Sequence, residues 1–236
     1  MSLISSVESV LQQLETLYHI KFNRALFQYE LGDITQSPAH RLFHQCNCCS
    51  HNAAHLAFTM FKAFPYSNDY KGRGGAPIIP GTYAIHGNRN DETQKKEIVN
   101  LFAQYYPGES KYSTGVDSES KRLEYLKNCF QKYLVTELSQ KDEKGKELET
   151  YAAPLLMGCG AACGNIEEYH ALWTWFITEV KKKQPNTTLT FYIYDKKQQS
   201  KRKQEINIIN ETKKTERRMT TIEKFFKRQK LNTEIA

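Results

Sequence analysis

The sequence predicts an α/β fold in which helices cover both faces of a sheet. Apolar segments of strand length alternate along the chain with segments whose apolar residues recur at helical spacing. Between them lie runs of glycine and polar residues that are typical of turns. The stretch from Tyr151 to Tyr169, YAAPLLMGCGAACGNIEEY, passes from an apolar run through a loop of small residues into a helix. We expect ligands of such a fold to bind at the carboxyl ends of the strands.

Start and stop signals place the elements along the chain. Ser5 and Glu8 have capping-box spacing at the start of the first helix, and Pro65 ends the second helix. The predicted helices cover residues 5–20, 53–64, 118–140 and 166–180. The predicted strands cover residues 25–31, 41–46, 82–85, 97–104, 152–157 and 189–194.

The composition predicts one domain of ordinary size with an appendage. In 236 residues no apolar run reaches membrane-spanning length, and the N-terminus lacks the pattern of a signal peptide. We therefore expect an intracellular protein without a membrane partner. The six cysteines do not have the pattern of a disulfide framework, which leaves free thiols or metal ligands.

The net charge of +7 is concentrated in the C-terminal tail. Residues 196–236 contain 13 Lys and Arg against 5 Asp and Glu, whereas the rest of the chain contains 20 against 21. This asymmetry argues against a body wrapped in nucleic acid and predicts a basic interaction tail that is disordered when free. The basic runs at 201–203 and 213–218 are candidates for a nuclear address or for weak contact with nucleic acid.

The loop after the apolar run at 152–157 has the composition of a phosphate-binding loop. Small residues let backbone N–H groups approach an anion, and the N-terminus of the following helix adds partial positive charge. No Gly-Lys-Ser or Gly-Lys-Thr follows, so the loop is not a P-loop. The alternative is a tight strand-to-helix turn without a ligand. The candidate ligand-binding residues of this loop are Gly158, Gly160, Ala162, Cys163, Gly164 and Asn165.

Several motifs, in order along the chain, resemble those of a known family. Gly32-Asp33-Ile34-Thr35 and Gln45-Cys46-Asn47 each end a predicted strand, and residues 56–65 read LAFTMFKAFP. With Met157-Gly158-Cys159-Gly160, residues 98–104 and Arg122-Leu123, they resemble the macro domain family, in the branch near the ADP-ribose-1″-phosphate phosphatases. The resemblance covers residues 25–195 and implies a three-layer α/β/α sandwich with a mixed central sheet that binds ADP-ribose. Residues 1–24 would then form a helix packed on this domain.

The resemblance also implies roles for single residues. Asp33 would accept the adenine amino group, the Ile34 N–H would face a ring nitrogen, and Tyr194 would stack on the adenine. A buried acceptor at that point rejects bases without the amino donor by about 1–3 kcal/mol. Asn47 would contact the distal ribose or position a water. The alternatives are a turn-capping Asp33, an Asn47 that bonds its own loop, and a core or rim tyrosine.

The chain departs from the family pattern in both loops. Ala53 and His55 stand where the branch has glycines, and a Cβ there crowds the approach of a diphosphate. Related hydrolases carry an Asp where this chain has Ala161-Ala162. The candidate catalytic residues are Asn47 and His55, with His51 as a second histidine able to move a proton. The implied activity is that of an ADP-ribose-1″-phosphate phosphatase or a mono-ADP-ribosyl hydrolase, and the alternative is an inactive scaffold.

Thiols and imidazoles near the two loops raise the alternative of a zinc site. The residues are His44, Cys46, Cys48, Cys49, His51, His55, Cys159 and Cys163. Their spacings are not those of a zinc knuckle or ribbon, and small buried thiols are common in protein cores. We therefore expect no metal, and ADP-ribose as ligand or substrate without a further cofactor.

One short segment of the tail resembles the box that binds the sliding clamp, PCNA. Residues 219–226 read MTTIEKFF, in which an aliphatic residue lies three positions before paired aromatics. One helical turn would place these side chains on one side, as a plug for an apolar pocket. The candidate partner-binding residues are Met219, Ile222, Phe225 and Phe226, with Met219 in place of the usual Gln. Clamp binding would carry a nuclear protein to replication or repair sites; the alternative is a short helix docked on the body.

Overall fold

The computed structural model describes residues 6–73, 76–91, 93–110, 115–138 and 149–194. The predicted tail at 196–236, with its clamp-binding segment, lies outside the described residues. No helix within the described ranges is long and apolar enough to cross a membrane.

The strands of the protein form one mixed sheet. Their bounds are β1 Gln28–Leu31, β2 Arg41–Asn47, β3 Tyr83–His86, β4 Glu97–Gln104, β5 Thr150–Pro154 and β6 Thr188–Ile193. In the described part of the chain these six strands lie in the order β1-β6-β5-β2-β4-β3. Every neighbouring pair is parallel except β3 and β4, which pair antiparallel at one edge. The prediction of an α/β fold with a mixed sheet is confirmed.

Helices cover both faces of this sheet. They are α1 Val7–Tyr18, α2 His55–Ala63, α3 Glu119–Thr136 and α4 Ile166–Lys183. Successive strand residues point to opposite faces, so that Phe43 packs with the core residues of α1, α3 and α4, and Leu42 packs with Met60 of α2. The same alternation holds for β4 and β5, where Val99 and Tyr151 belong to the same core cluster as Phe43. The protein is therefore the three-layer sandwich that the sequence predicts.

Capping side chains fix where the helices begin. The hydroxyl of Ser118 accepts a hydrogen bond from the Lys121 amide at the start of α3. At the start of α4, the side-chain oxygen of Asn165 accepts from the amides of Glu167 and Glu168. The first helix is capped by Ser6, whose hydroxyl accepts from the Ser9 amide. The predicted cap at Ser5 is therefore wrong by one residue.

The strand predicted over residues 152–157 ends earlier, at Pro154. The Leu155 amide still donates to the Tyr192 carbonyl, but the Met157 amide then donates back to the Pro154 carbonyl in a turn. Leu155 and Met157 are nevertheless buried in the core. An apolar run alone does not separate a strand from a buried turn, which explains the wrong boundary.

Candidate functional site

Four strand ends bring the candidate residues to one edge of the sheet. Because β1, β6, β5 and β2 are parallel neighbours, their carboxyl ends meet there. Asp33 follows β1, Tyr194 follows β6, and Asn47 ends β2. Between β6 and β2, residues 155–165 follow β5, and we call them the second loop. Residues 47–54, between β2 and α2, are the first loop.

Asp33 lies at the outer end of this row. Its Oδ1 accepts hydrogen bonds from the amide and the hydroxyl of Thr35, both at 2.9 Å, and begins a short 3-10 helix. The other carboxylate oxygen, Oδ2, has no partner among the described residues. The Gly32 amide donates to the Ile193 carbonyl, so that Asp33 lies close to the end of β6. Tyr194, the next residue after that end, is 57% exposed. This corner of the edge therefore combines a free acceptor with an exposed aromatic ring.

The second loop is folded around the ring of Tyr169. A Cβ on Gly158 would overlap that ring and would lie 2.8 Å from Gln45 Oε1. A Cβ on Gly164 would lie 2.6 Å from the same ring. Gly158 also has a φ of 77°, which other residues rarely adopt. Tyr169 itself is 2% exposed, so that two of the loop glycines are required by packing inside the protein.

The outer turn of the second loop presents unpaired backbone donors. The Gly164 amide donates to the Gly158 carbonyl at 2.9 Å, and the Cys163 amide donates to the Gly160 carbonyl at 3.0 Å. The amides of Ala161 and Ala162 have no partner within the described ranges. Gly160 is exposed, and a Cβ on it would meet nothing nearer than 3.9 Å. Amides that lie unpaired beside a helix N-terminus can bind an anion.

Arg122 of α3 forms hydrogen bonds that connect the second loop to the protein interior. It is 2% exposed and forms a buried ion pair with Asp117. Its Nη1 donates to the Gly108 carbonyl at 2.7 Å and to the Ala162 carbonyl at 3.4 Å. The Asp117 carboxylate also accepts from the Tyr105 amide at 2.7 Å. One guanidinium thus ties the second loop to the loop that follows β4.

Asn47 is bonded within and around the first loop. It is 7% exposed, and its Oδ1 accepts from the Ser50 amide at 2.7 Å. Its Nδ2 and its amide both donate to the hydroxyl of Tyr70, at 2.8 Å and 2.9 Å. In this structure the side-chain amide therefore sets the shape of the loop.

The residue that follows the first loop has left-handed backbone geometry. His55, the first residue of α2, has a φ of 49°, and such a φ costs a non-glycine residue free energy. This is one of the two positions at which the sequence resemblance implies a glycine. His51 within the loop and His55 just after it are both exposed, whereas Ala53 is partly buried. The backbone shape that glycine favours is thus kept without glycine.

The pKa values of the thiols in and beside the two loops are raised. Burial raises the pKa of Cys46, and it raises the pKa of Cys48 and of Cys159 to about 12. Cys163 is exposed, and the neighbouring carboxylate of Glu109 raises its pKa. In the ranges that the structure describes, no group of His, Cys, Asp and Glu side chains is placed to hold a metal ion.

Sequence patterns did not indicate the residues that support these loops. Tyr70, Arg73 and Asp117 lie outside the predicted helices and strands, and no motif surrounds them. The one available signal was an Arg-Leu pair inside a helix, where Arg122 occupies a position that faces the core. A buried arginine needs a carboxylate partner, which a search of the flanking loops would have found.

Comparisons with known proteins give structural neighbours only. A scan against protein-family models finds no match, and a search of the curated proteins finds none. Among solved structures, the chain is similar to the macrodomain of Mycobacterium tuberculosis DarG, with 16% identity and a TM-score of 0.46 over 71% of this chain and 97% of that one. A Bacteroides thetaiotaomicron protein of unknown function is similar with 18% identity and a TM-score of 0.48, over 72% and 99%. A variant Oceanobacillus iheyensis macrodomain with ADPR is similar with 15% identity and a TM-score of 0.47, over 81% and 98%.

Proposed function

We propose that residues 25–194 bind ADP-ribose, or a close derivative, along the carboxyl edge of the sheet. The observation that carries the proposal is the order of groups along that edge. A free carboxylate oxygen on Asp33, unpaired amides in the second loop and the polar first loop follow one another across β1, β6, β5 and β2. Adenine, diphosphate and distal ribose follow one another in the same order in ADP-ribose. The family resemblance of the motifs adds to this argument.

The adenine binds at the end of β1. Oδ2 of Asp33 accepts the amino group, while Oδ1 stays bonded to Thr35 and fixes the carboxylate. The Ile34 amide, which has no partner among the described residues, donates to a ring nitrogen. Tyr194 covers the base by stacking, which its exposure permits. This arrangement selects adenine, because a base without an amino donor leaves the carboxylate unpaired.

The diphosphate binds at the outer turn of the second loop. The amides of Ala161 and Ala162 supply hydrogen bonds, and the N-terminus of α4 supplies partial positive charge. Gly160 leaves room for the close approach. The remaining candidates, Gly158, Cys163, Gly164 and Asn165, shape the turn and cap the helix.

The distal end of the site favours binding and removal of a phosphate group over a reaction that uses a carboxylate as acid or base. Residues 34–68, which include the first loop and α2, contain no Asp or Glu. A phosphate monoester carries close to two negative charges and would be repelled by a nearby carboxylate. His51 and His55 are exposed there, and imidazole can protonate a leaving oxygen near neutral pH. Hydrolysis of ADP-ribose-1″-phosphate is therefore our first assignment: a water positioned by Asn47 attacks phosphorus, the bond from phosphorus to the ribose oxygen breaks, and that oxygen leaves with a proton from His55. Removal of protein-linked ADP-ribose is the second.

Isothermal titration of the full chain with ADP-ribose, with AMP as the comparison, tests the binding. We expect a micromolar Kd, about −8 kcal/mol, that AMP does not reproduce. Absence of binding to ADP-ribose would overturn the proposal and leave the inactive scaffold. Phosphate release from ADP-ribose-1″-phosphate then tests the chemistry. We expect His55→Ala to slow it while ADP-ribose affinity is retained.

We propose clamp binding by the tail as a second function, on the sequence observation at residues 219–226. Ile222, Phe225 and Phe226 have the spacing of one helical turn inside a basic segment, which lies outside the described residues. Titration of the full chain against PCNA tests this function. We expect binding that is lost when Phe225 and Phe226 are both replaced by Ala. Equal binding by this double variant would contradict the assignment.

A further inference from the structure

Two side chains outside the first loop hold it in place. Tyr70 lies just after a 3-10 helix over Pro65–Ser67, and its buried hydroxyl accepts hydrogen bonds from the amide and Nδ2 of Asn47. Arg73 donates from Nη2 to the Asn47 carbonyl at 3.0 Å and from Nη1 to the Ser50 carbonyl at 2.9 Å. Its guanidinium lies 4.5 Å from the centre of the Tyr70 ring. We call Tyr70 and Arg73 the bracket.

We infer that the bracket positions the first loop for the distal part of the ligand. This inference rests on the proposed function, in which the first loop contacts the distal ribose. Tyr70 and Arg73 are positioning residues, because they act on the ligand through Asn47 and Ser50.

The hydrogen bonds show why the first loop depends on residues outside it. Within the loop, Asn47 Oδ1 accepts from the Ser50 amide, and the Ser50 hydroxyl accepts from the Asn52 amide. These contacts form a turn, but they leave the Asn47 amide and Nδ2 without acceptors. The Tyr70 hydroxyl supplies both, at a site that is shielded from water. Loss of this hydroxyl strands two buried donors, and the Asn47 side chain is then expected to rotate.

Arg73 fixes the two carbonyls that flank the turn. Two nitrogens of one planar guanidinium reach two carbonyl oxygens, and stacking on Tyr70 sets the plane of the fork. A lysine carries the same charge but has a single ammonium group without this planar fork. Arg73→Lys therefore separates the geometry of the bracket from its charge.

The effect of the bracket is expected to be local. Asp33, at the adenine end, is separated from Asn47 by three strand spacings, which is roughly 14 Å. A change in the first loop should therefore leave the adenine contacts intact. A general loss of stability would instead weaken the whole edge.

Titration of full-length variants with ADP-ribose and AMP tests the inference. For Tyr70→Phe and Arg73→Lys we expect ADP-ribose affinity to fall about tenfold or more, with AMP affinity within about twofold of the original. Tyr66→Phe is the matched control, since it removes a hydroxyl bond to the Lys96 carbonyl in the same segment without touching the first loop. The inference would be overturned if both bracket variants bound ADP-ribose as tightly as the original protein. It would also be overturned if the affinities for ADP-ribose and AMP fell by the same factor.

Hydrogen exchange separates a failure of the bracket from a failure of the proposed function. In Tyr70→Phe we expect the amides of Asn47 and Ser50 to exchange about tenfold faster, with the amides of α4 unchanged. If the original protein does not bind ADP-ribose but the amides exchange faster in Tyr70→Phe, the proposed function is wrong and the role of the bracket in holding the first loop is retained. Unchanged exchange would remove the bracket, whatever the ligand.

Discussion

Arg122 and Asp117 form an ion pair in which each side chain is 2% exposed. The same guanidinium reaches the carbonyls of Gly108 and Ala162, so the pair connects the loops after β4 and β5. A pair in this position couples the stability of the fold to the shape of the second loop.

We expect Asp117→Ala to lower the free energy of unfolding by about 3–5 kcal/mol, because it leaves a buried guanidinium without its counter-charge. Urea unfolding measures this loss. Lys121→Ala is the control: its pair with Glu124 is about half exposed on each side and screened by solvent, so its loss should lower the free energy of unfolding far less. Similar losses in the two variants would show that the buried pair has no special weight.

Two glycines of the second loop should respond very differently to a methyl group. Gly158→Ala places a Cβ against the Tyr169 ring at a φ of 77°, and we expect a loss of about 3 kcal/mol. Gly160→Ala, with open space around it, should change stability by less than about 0.5 kcal/mol. It should, however, weaken ADP-ribose binding if the diphosphate approaches there. Thermal unfolding and titration of both variants check these outcomes.

His55→Gly should stabilise the protein by about 1 kcal/mol. The backbone of His55 has a φ of 49°, and glycine adopts this geometry without steric strain. His51→Gly is the comparison, since His51 is also exposed but has no positive φ, and there glycine should be neutral or destabilising. The midpoint of thermal unfolding distinguishes the two. A lower midpoint for His55→Gly would mean that the imidazole makes a compensating contact.

Stability should fall as the pH drops from about 6.5 to about 4. Burial lowers the pKa of His44 from 6.5 to about 4, so in this window the unfolded chain binds a proton that the folded protein does not. The resulting gain in the free energy of unfolding, relative to pH 4, is complete above pH 6.5 and amounts to about 3 kcal/mol. Asp69, whose pKa is also lowered, contributes only at more acidic pH.

Urea unfolding between pH 4 and 7 measures this slope, and His44→Asn should flatten it. His170 lies in the same window, because burial lowers its pKa as well, and so a part of the slope should remain. Exposed His51 provides the control variant, His51→Asn, which should leave the slope as it is. An undiminished slope in His44→Asn would assign the pH dependence elsewhere.

Asp33→Asn should lower the affinity for both ADP-ribose and AMP by about tenfold to a hundredfold. Asparagine retains an oxygen for the Thr35 amide, but its NH₂ group repels the adenine amino group. Thr35→Val removes the hydroxyl bond to Oδ1 and a long, exposed bond from the Gln36 side chain, keeps the Thr35 amide bond to Oδ1, and should bind both ligands normally. Unchanged affinity in Asp33→Asn would show that Asp33 does not accept the adenine amino group.

Much of the fold could be predicted because its signals are local. The apolar residues of 97–104 predicted β4 with the bounds that the structure has, and the helices predicted to begin at residues 118 and 166 begin at Glu119 and Ile166. Errors arose where tertiary contacts set the boundary. Residues 25–27 were predicted as the start of β1, but the amides of Leu26 and Phe27 donate to Asn23 in a turn.

The sequence by itself determined the order of helices and strands, and with it the edge where Asp33, Asn47 and the second loop meet. Only the tertiary structure decided what those residues touch. Gly158 and Gly164 are small because Tyr169 occupies the space beside them, and Asn47 is bonded to Tyr70, which lies 23 residues further along the chain. Periodicity and capping depend on neighbours within a few residues, whereas these contacts form only when distant loops close on one another.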